Sequence, residues 1–216
     1  MDYAAMLNAT GAAIVLGGTL LATLLGSGRR ELAAMLGAIG RLFVPRFRLD
    51  KARAEIARDV EAIRHDGLLR ALPCHSSDRE IAAATDALVH DRSINSLILT
   101  HKALKKKRVE LRELALRPLL LAAEMAPVFG MVGTLFGLAH VPFGEVEDGA
   151  MLATVGLAVL TTLYGLLLAH LLFNPLARLI ARRGAQEDED RQQLVDWLAR
   201  QIAPGIPKVR ALDAAA

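Results

Sequence analysis

The chain has 216 residues, of which 53% are hydrophobic and 4% aromatic, and its mean hydropathy is +0.34 although 23% of its residues are charged. A soluble domain with this charge content would have a lower hydropathy, so the apolar residues must be concentrated in blocks. The net charge is +3, and the charged residues cluster beside those blocks, which favours a membrane protein over a nucleic-acid-binding one. The single cysteine, Cys74, excludes an intramolecular disulfide.

The first predicted element is a transmembrane helix over residues 3–26. No charged residue occurs from Tyr3 to Gly26. A helix rises about 1.5 Å per residue, so a segment of this length crosses a hydrocarbon core of about 30 Å.

The second predicted element is a helical cytoplasmic loop over residues 29–117. Apolar residues recur every three or four positions in RAEIARDVEAIRHDGLLRAL, where Ile56, Val60 and Ile63 form one stripe, and again in REIAAATDALVHD. Asp66-Gly67 and Leu72-Pro73 are the predicted breaks between its helices.

Two further transmembrane helices and a tail follow. Residues 118–141 are interrupted only by Glu124, and residues 150–174 contain no acid, lysine or arginine. The tail, residues 178–216, is predicted to be cytoplasmic and to contain an amphipathic helix near Glu187–Ile202. The predicted fold is therefore all-α, with three transmembrane helices.

Flanking charges predict the orientation, because lysine and arginine stay preferentially on the cytoplasmic side. Arginines follow the first and third spans and a basic run precedes the second, whereas the turn between the second and third spans contains Glu145, Glu147 and Asp148. The N-terminus is therefore predicted to lie outside, and the loop and the tail inside.

Catalytic and metal-binding patterns are not found in the sequence. The six histidines are scattered without an HExxH pattern, and GMVGTLFG lacks the Lys-Ser/Thr of a phosphate-binding loop. We therefore predict neither an enzyme nor a metal or cofactor site.

Small residues recur within the predicted spans, where they let helices approach closely. They pack either within one subunit or between subunits, and the sequence does not distinguish the two. They are Gly17, Gly18, Gly130, Gly133, Gly137, Gly156 and Gly165.

Polar side chains at membrane depth are the candidate functional residues. Thr134, Thr161 and Thr162 either line a shared polar path or bond back to the carbonyl one turn earlier. Glu124 is the only acid within a span, and it is either a functional carboxylate or an interfacial acid paired with Arg117 or the basic run before it. Because the membrane centre offers only hydroxyls, an ion path would need a carboxylate from another chain.

These segments resemble the MotA/TolQ/ExbB proton-channel family, and its MotA branch in particular. The resemblance lies in AAIVLGGTLLATLLG, RHDGLL, EMAPVFGMVGTLFGLAH and AVLTTLYGLLLAHLLFNPLA, which follow the order of the family from the first span to the last. It implies a multi-pass protein of a bacterial inner membrane that couples proton or sodium flow to mechanical work.

The resemblance also assigns roles to individual residues. Pro127 matches the proline at the cytoplasmic side of the pore-lining helix and Pro175 the one that ends the last span, and each can form a hinge. Thr134 and Thr162 match hydroxyls that face the ion-carrying aspartate of the partner, and Glu124 matches an acid before the first proline.

Two departures from the MotA pattern concern topology and rotor contact. MotA proteins have four spans where this sequence has three, as TolQ and ExbB have. Arg64 matches an arginine implicated in rotor contact, whereas Leu72 replaces the acid eight residues later.

The implied assembly is a pentamer around a MotB-like or ExbD/TolR-like single-span partner in membrane lipid. The alternative is a non-conducting membrane scaffold whose basic loop binds lipid or a protein partner. The choice between proton and sodium, the driven load and the identity of the partner stay open.

Overall fold

A computed structural model describes residues 9–66, 76–139 and 148–203, with side chains described except at 64–66 and 148–154. Its regular structure is helical throughout the described residues, which confirms the predicted all-α fold. The helices are α1 Ala9–Gly26, α2 Arg29–Arg41, α3 Leu49–Asp66, α4 Arg79–Asp91, α5 Ile94–Ala139, α6 Asp148–Leu167 and α7 Asn174–Ile202, with a π-helical turn at Leu168–Phe173 between α6 and α7.

Three helical stretches of the described residues are long and apolar enough to cross a membrane. They are Ala9–Gly26, Ile94–Ala139 and Val155–Ile202. The predicted acidic turn with Glu145 and Glu147, and the predicted break at Leu72-Pro73, lie outside the described residues.

The chain divides into two compact units. The first contains residues 1–44 and 111–182, and the second contains residues 45–110 and 183–216. The predicted loop is therefore shared between the units, because α2 and the residues just before the second span group with the spans.

The second unit has an apolar core built by α3, α4, α5 and α7. The predicted stripe of Ile56, Val60 and Ile63 is buried in it, together with Leu194 and Leu198 of α7. Its helix α4 begins at an N-cap, Asp78, whose carboxylate accepts hydrogen bonds from the backbone N–H groups of Glu80 and Ile81.

Helix α5 runs without a break through the predicted boundary at residue 118, with Pro118 and Pro127 inside it. A helix satisfies its backbone hydrogen bonds internally in water and in lipid alike, so the membrane boundary needs no interruption. Each proline nevertheless removes one hydrogen bond from the helix.

Pro175, predicted at the end of the last span, lies within continuous helix, because α7 extends from Asn174 to Ile202. The preceding turn at Leu168–Phe173 is π-helical, and the backbone N–H of Asn174 donates to the carbonyl of Ala169, five residues earlier. The wider turn accommodates a residue that lacks its own N–H donor, so the helix continues through the proline.

His101 is a buried titratable side chain in the second unit, with 3% of its surface exposed. Burial lowers the pKa of His101, and Lys105 on the same helix lowers it further, whereas Gln192, Asp196 and Asp188 of α7 act in the opposite direction. The folded unit therefore favours the neutral imidazole over the charged one more than the unfolded chain does.

This burial predicts that the second unit loses stability in acid. An unfolded histidine has a pKa near about 6.5, so the unfolded chain binds the proton first as the pH falls below that value, and stability decreases toward the lowered folded pKa. Thermal unfolding followed by the fluorescence of Trp197 should show a lower midpoint at acidic than at neutral pH. His101→Gln should flatten that dependence, and an unchanged dependence would contradict it.

Candidate functional site

The first unit brings the candidate residues together where α5 and α6 cross. A methyl group placed on Gly165 would lie 2.5 Å from the carbonyl oxygen of Ala126 and 3.1 Å from the Cα of Pro127. One placed on Gly130 would lie 3.0 Å from the carbonyl oxygen of Thr161. Glycines at these positions let the two backbones touch, as small residues do in membrane helix pairs.

Thr161 lies at the centre of the three packed helices. Its side chain is fully buried, and it occupies the space that a methyl group on Gly11 of α1 or on Gly133 of α5 would need, at 2.9 Å and 2.7 Å. Gly18 leaves space in the same way for the ring of Phe129. Thr161 is thus positioned as a packing residue within one subunit.

Two of the three predicted threonine hydroxyls bond back to their own helix. Thr134 donates to the carbonyl oxygen of Met131 at 2.6 Å, and Thr161 donates to that of Ala158 at 2.8 Å. Thr162 makes no such bond to any described residue, and its side chain is half-buried. Its backbone lies against Gly130, one turn before Thr134, so Thr134 and Thr162 lie about one helical turn apart along the crossing.

Glu124 is exposed in the isolated chain. Arg117, its predicted interfacial partner, instead pairs with Glu31 of α2 at 3.2 Å. A hydrogen bond from the backbone N–H of Gly28 and then Arg117 hold the pKa of Glu31 below its usual value. With Arg117 paired to Glu31, the carboxylate of Glu124 is left for groups outside the described residues of this chain.

Two buried threonines on α1 were not predicted as candidates. Thr23 donates to the carbonyl oxygen of Thr19 at 2.7 Å, and the Thr19 hydroxyl is buried without a hydrogen-bond partner among the described residues. The four-residue spacing of Thr19 and Thr23 was the available signal, since it puts both side chains on one helix face.

The remaining candidates lie apart from this crossing. Gly17 of α1 and Gly156 of α6 face open space, with nothing within 4 Å of an added methyl group. Arg64 belongs to α3, in the second unit, and its side chain lies outside the described residues.

This arrangement defines a class of protein. It is a helical multi-pass membrane protein with closely packed spans, hydroxyls at membrane depth and one carboxylate. The sequence matches the profile of the MotA/TolQ/ExbB proton channel family over residues 77–193, more than half of its length. The chain belongs to that family.

Similar sequences agree with this membership, and solved structures share the fold. PomA, a chemotaxis protein of Vibrio alginolyticus, is 28% identical over 195 residues, which cover 88% of this chain and 75% of PomA. YtxD of Bacillus subtilis is 41% identical over 78 residues, and the matched segment spans only 28% of YtxD. The fold matches a chain of the flagellar MotAB stator complex from Bacillus subtilis with a TM-score of 0.84 at 18% identity, covering 97% of this chain and 84% of that one.

Proposed function

We propose that this chain is the ring-forming subunit of a stator-type channel, which couples proton or sodium flow to mechanical work together with a single-span, MotB-like partner. The observation that supports the proposal is the close crossing of α5 and α6, along which Thr134 and Thr162 lie about one helical turn apart. Neither hydroxyl titrates near neutral pH, so the charge that accompanies a moving ion must come from the partner.

In this proposal several copies of the chain, five as the family implies, surround the partner helix, with the N-terminus of each subunit outside. An aspartate of the partner accepts a cation from the outside, moves past the threonines while its charge is neutralised, and releases the cation inside. Moving one charge through 100 mV is worth only about 2.3 kcal/mol, so the work is done in repeated small steps. Pro127 and Pro175 serve as hinges, and Arg64 contacts the driven load.

The non-conducting scaffold is the second candidate, and a basic surface is its main support. Family membership and the packed spans favour the channel. The two functions differ in one measurable quantity, which is ion flux in the presence of the partner.

The test is flux across sealed vesicles that contain the chain alone or the chain co-purified with a MotB-like protein. We expect flux with the partner and none above the lipid background from the chain alone, because the membrane centre offers only hydroxyls and Glu124 lies near the cytoplasmic end of its predicted span. Thr162→Val should reduce that flux about fivefold, the effect of losing one neutral hydrogen bond worth about 1 kcal/mol.

Thr161→Val is the matched control, since its hydroxyl is buried and donates to its own helix. It should retain most of the flux. Equal losses in both variants would remove Thr162 from the path, strong flux from the chain alone would refute the partner-supplied charge, and no flux with the partner would favour the scaffold.

A further inference from the structure

Two ionisable side chains of the predicted spans lack a partner in the described part of the chain. Glu124 lies on α5, and His170 lies in the π-helical turn that follows α6. Both side chains are exposed, and neither forms a hydrogen bond or an ion pair with another described residue. An ionisable side chain within a membrane span almost always faces protein or water, because lipid offers it no partner.

The contacts between α5 and α6 show that the two helices are antiparallel. A methyl group on Gly165 would lie 3.1 Å from the Cα of Pro127, whereas one on Gly133 would lie 2.7 Å from the Cβ of Thr161. Lower-numbered residues of α5 therefore lie beside higher-numbered residues of α6. The start of the second predicted span and the end of the third share one side of the membrane, which is the predicted cytoplasmic side.

This arrangement gives Glu124 and His170 a similar depth. Glu124 is three residues from Pro127 and His170 is five residues from Gly165, both toward the predicted cytoplasmic side. At about 1.5 Å per residue, these offsets are about 5 Å and about 7 Å from the same contact. The two levels therefore differ by less than one helical turn.

Each of the two residues also ends a row of exposed apolar side chains. Such a row, with members three or four residues apart, occupies one face of a helix. The α5 row contains Glu124 with Leu120, Val128, Met131 and Leu135, and the α6 row contains His170 with Val159, Leu163 and Leu166. Neither row is covered by the described chain, and an ionisable group at the end of each favours protein over lipid as the cover.

A ring of identical subunits supplies that protein. A closed ring joins two different surfaces of each copy, because its interfaces are heterologous. The α5 row of one copy and the α6 row of its neighbour are two such surfaces, and they carry a carboxylate and an imidazole at one depth. The groups are complementary, since an imidazole N–H can donate to a carboxylate oxygen. The single-span partner contacts only part of a ring, so it cannot cover both rows of every copy.

We propose that Glu124 of one copy pairs with His170 of the neighbouring copy, at the cytoplasmic end of the spans. The pair gives each side chain the partner that its own chain lacks, and it fixes the register of α5 in one copy against α6 in the next. This inference rests on the ring of the proposed function and does not require ion conduction.

The first test is disulfide cross-linking in membranes. The chain carries Glu124→Cys and His170→Cys together in a Cys74→Ser background, and copper phenanthroline is the oxidant. We expect a ladder of covalent oligomers on a non-reducing gel, because the two cysteines meet at every interface between copies. Glu124→Cys alone and His170→Cys alone should stay monomeric on the same gel.

The matched control combines Glu124→Cys with Leu163→Cys. Position 163 lies on the same row of α6, seven residues from position 170. That offset is about 10 Å, which is more than the roughly 7 Å that a disulfide allows between Cα atoms. The control should therefore give far less ladder. Equal ladders in both variants, or no ladder from the first, would overturn the pair.

Native mass spectrometry of the detergent-solubilised wild-type chain distinguishes the causes of a missing ladder. An intact ring without a ladder would overturn the pair alone. A monomer would refute the ring of the proposed function as well, and the pair with it.

The second test exchanges the two groups. Glu124→His alone and His170→Glu alone should each lower the association constant between copies about tenfold per interface, as the loss of one hydrogen bond to a charged group implies. The double variant restores an acid opposite an imidazole, so it should recover most of the wild-type association. The measurement is the ratio of ring to monomer on dilution in detergent.

Recovery in the double variant separates a direct pair from two independent structural roles. Independent sites have additive effects, so the double variant would then associate about a hundredfold more weakly than the wild type at each interface. Such additive losses would overturn the proposal, and so would unchanged association in both single variants.

Discussion

Gly165→Ala is expected to lose at least nine-tenths of the partner-dependent ion flux and to lower the stability of the first unit. The added methyl group would lie 2.5 Å from the carbonyl oxygen of Ala126 and 3.1 Å from the Cα atoms of Pro127 and Gly130. These are backbone atoms, so no side chain can rotate away, and α5 and α6 must separate. Overpacking of this kind costs about 1–3 kcal/mol and displaces Thr134 from Thr162.

The control lies on the same helix. Gly156→Ala adds the same methyl group to open space and improves the helix propensity, so it should retain the stability of the isolated subunit. Flux and thermal unfolding of both variants are measured side by side. Wild-type behaviour of Gly165→Ala would show that the close crossing is not needed for conduction.

Arg108→Met is expected to destabilise the second unit by about 3–5 kcal/mol, the usual cost of removing one partner from a buried ion pair. The Nε of Arg108 donates to Asp188 at 2.7 Å, and its guanidinium also pairs with Glu80. Asp188 is 6% exposed. Removing the arginine leaves this buried carboxylate without its main counter-charge, while Met retains most of the apolar stem.

Denaturant unfolding followed through Trp197, which packs against the core of the same unit, measures this loss. Lys106→Met is the control, because Lys106 is exposed and its ion pair with Glu110 spans 3.9 Å, so the change should be within about 0.5 kcal/mol. A similarly small change in Arg108→Met would mean that the ion pairs contribute little to stability.

Apolar blocks and helical periodicity were sufficient to predict the helical architecture. They identify the three candidate spans and the buried stripe of Ile56, Val60 and Ile63, because burial in water and in lipid both depend on the apolar character of a helix face. The sequence could not predict which helix packs against each glycine. Small residues indicate close approach without indicating which helix approaches.

The sequence also could not distinguish the packing role of Thr161 from the position of Thr162. Neighbours in a helix point about 100° apart, so one is buried against Gly11 and Gly133 while the other is half-buried. Which of the two side chains faces inward depends on where α1 and α5 pack, and this packing cannot be predicted from the sequence of α6. The π-helical turn before Pro175, through which the helix continues, was likewise not predicted from the sequence.

The hydrogen bond of Thr134 restricts what this side chain can bind. Its hydroxyl hydrogen is donated to Met131, so the oxygen presents only lone pairs to a neighbour, as a carbonyl does. Such an oxygen accepts a hydrogen bond from a protonated carboxyl group or contacts a cation, but it repels a bare carboxylate. Opposite an aspartate, Thr134 would therefore favour the loaded form over the empty one without itself changing protonation.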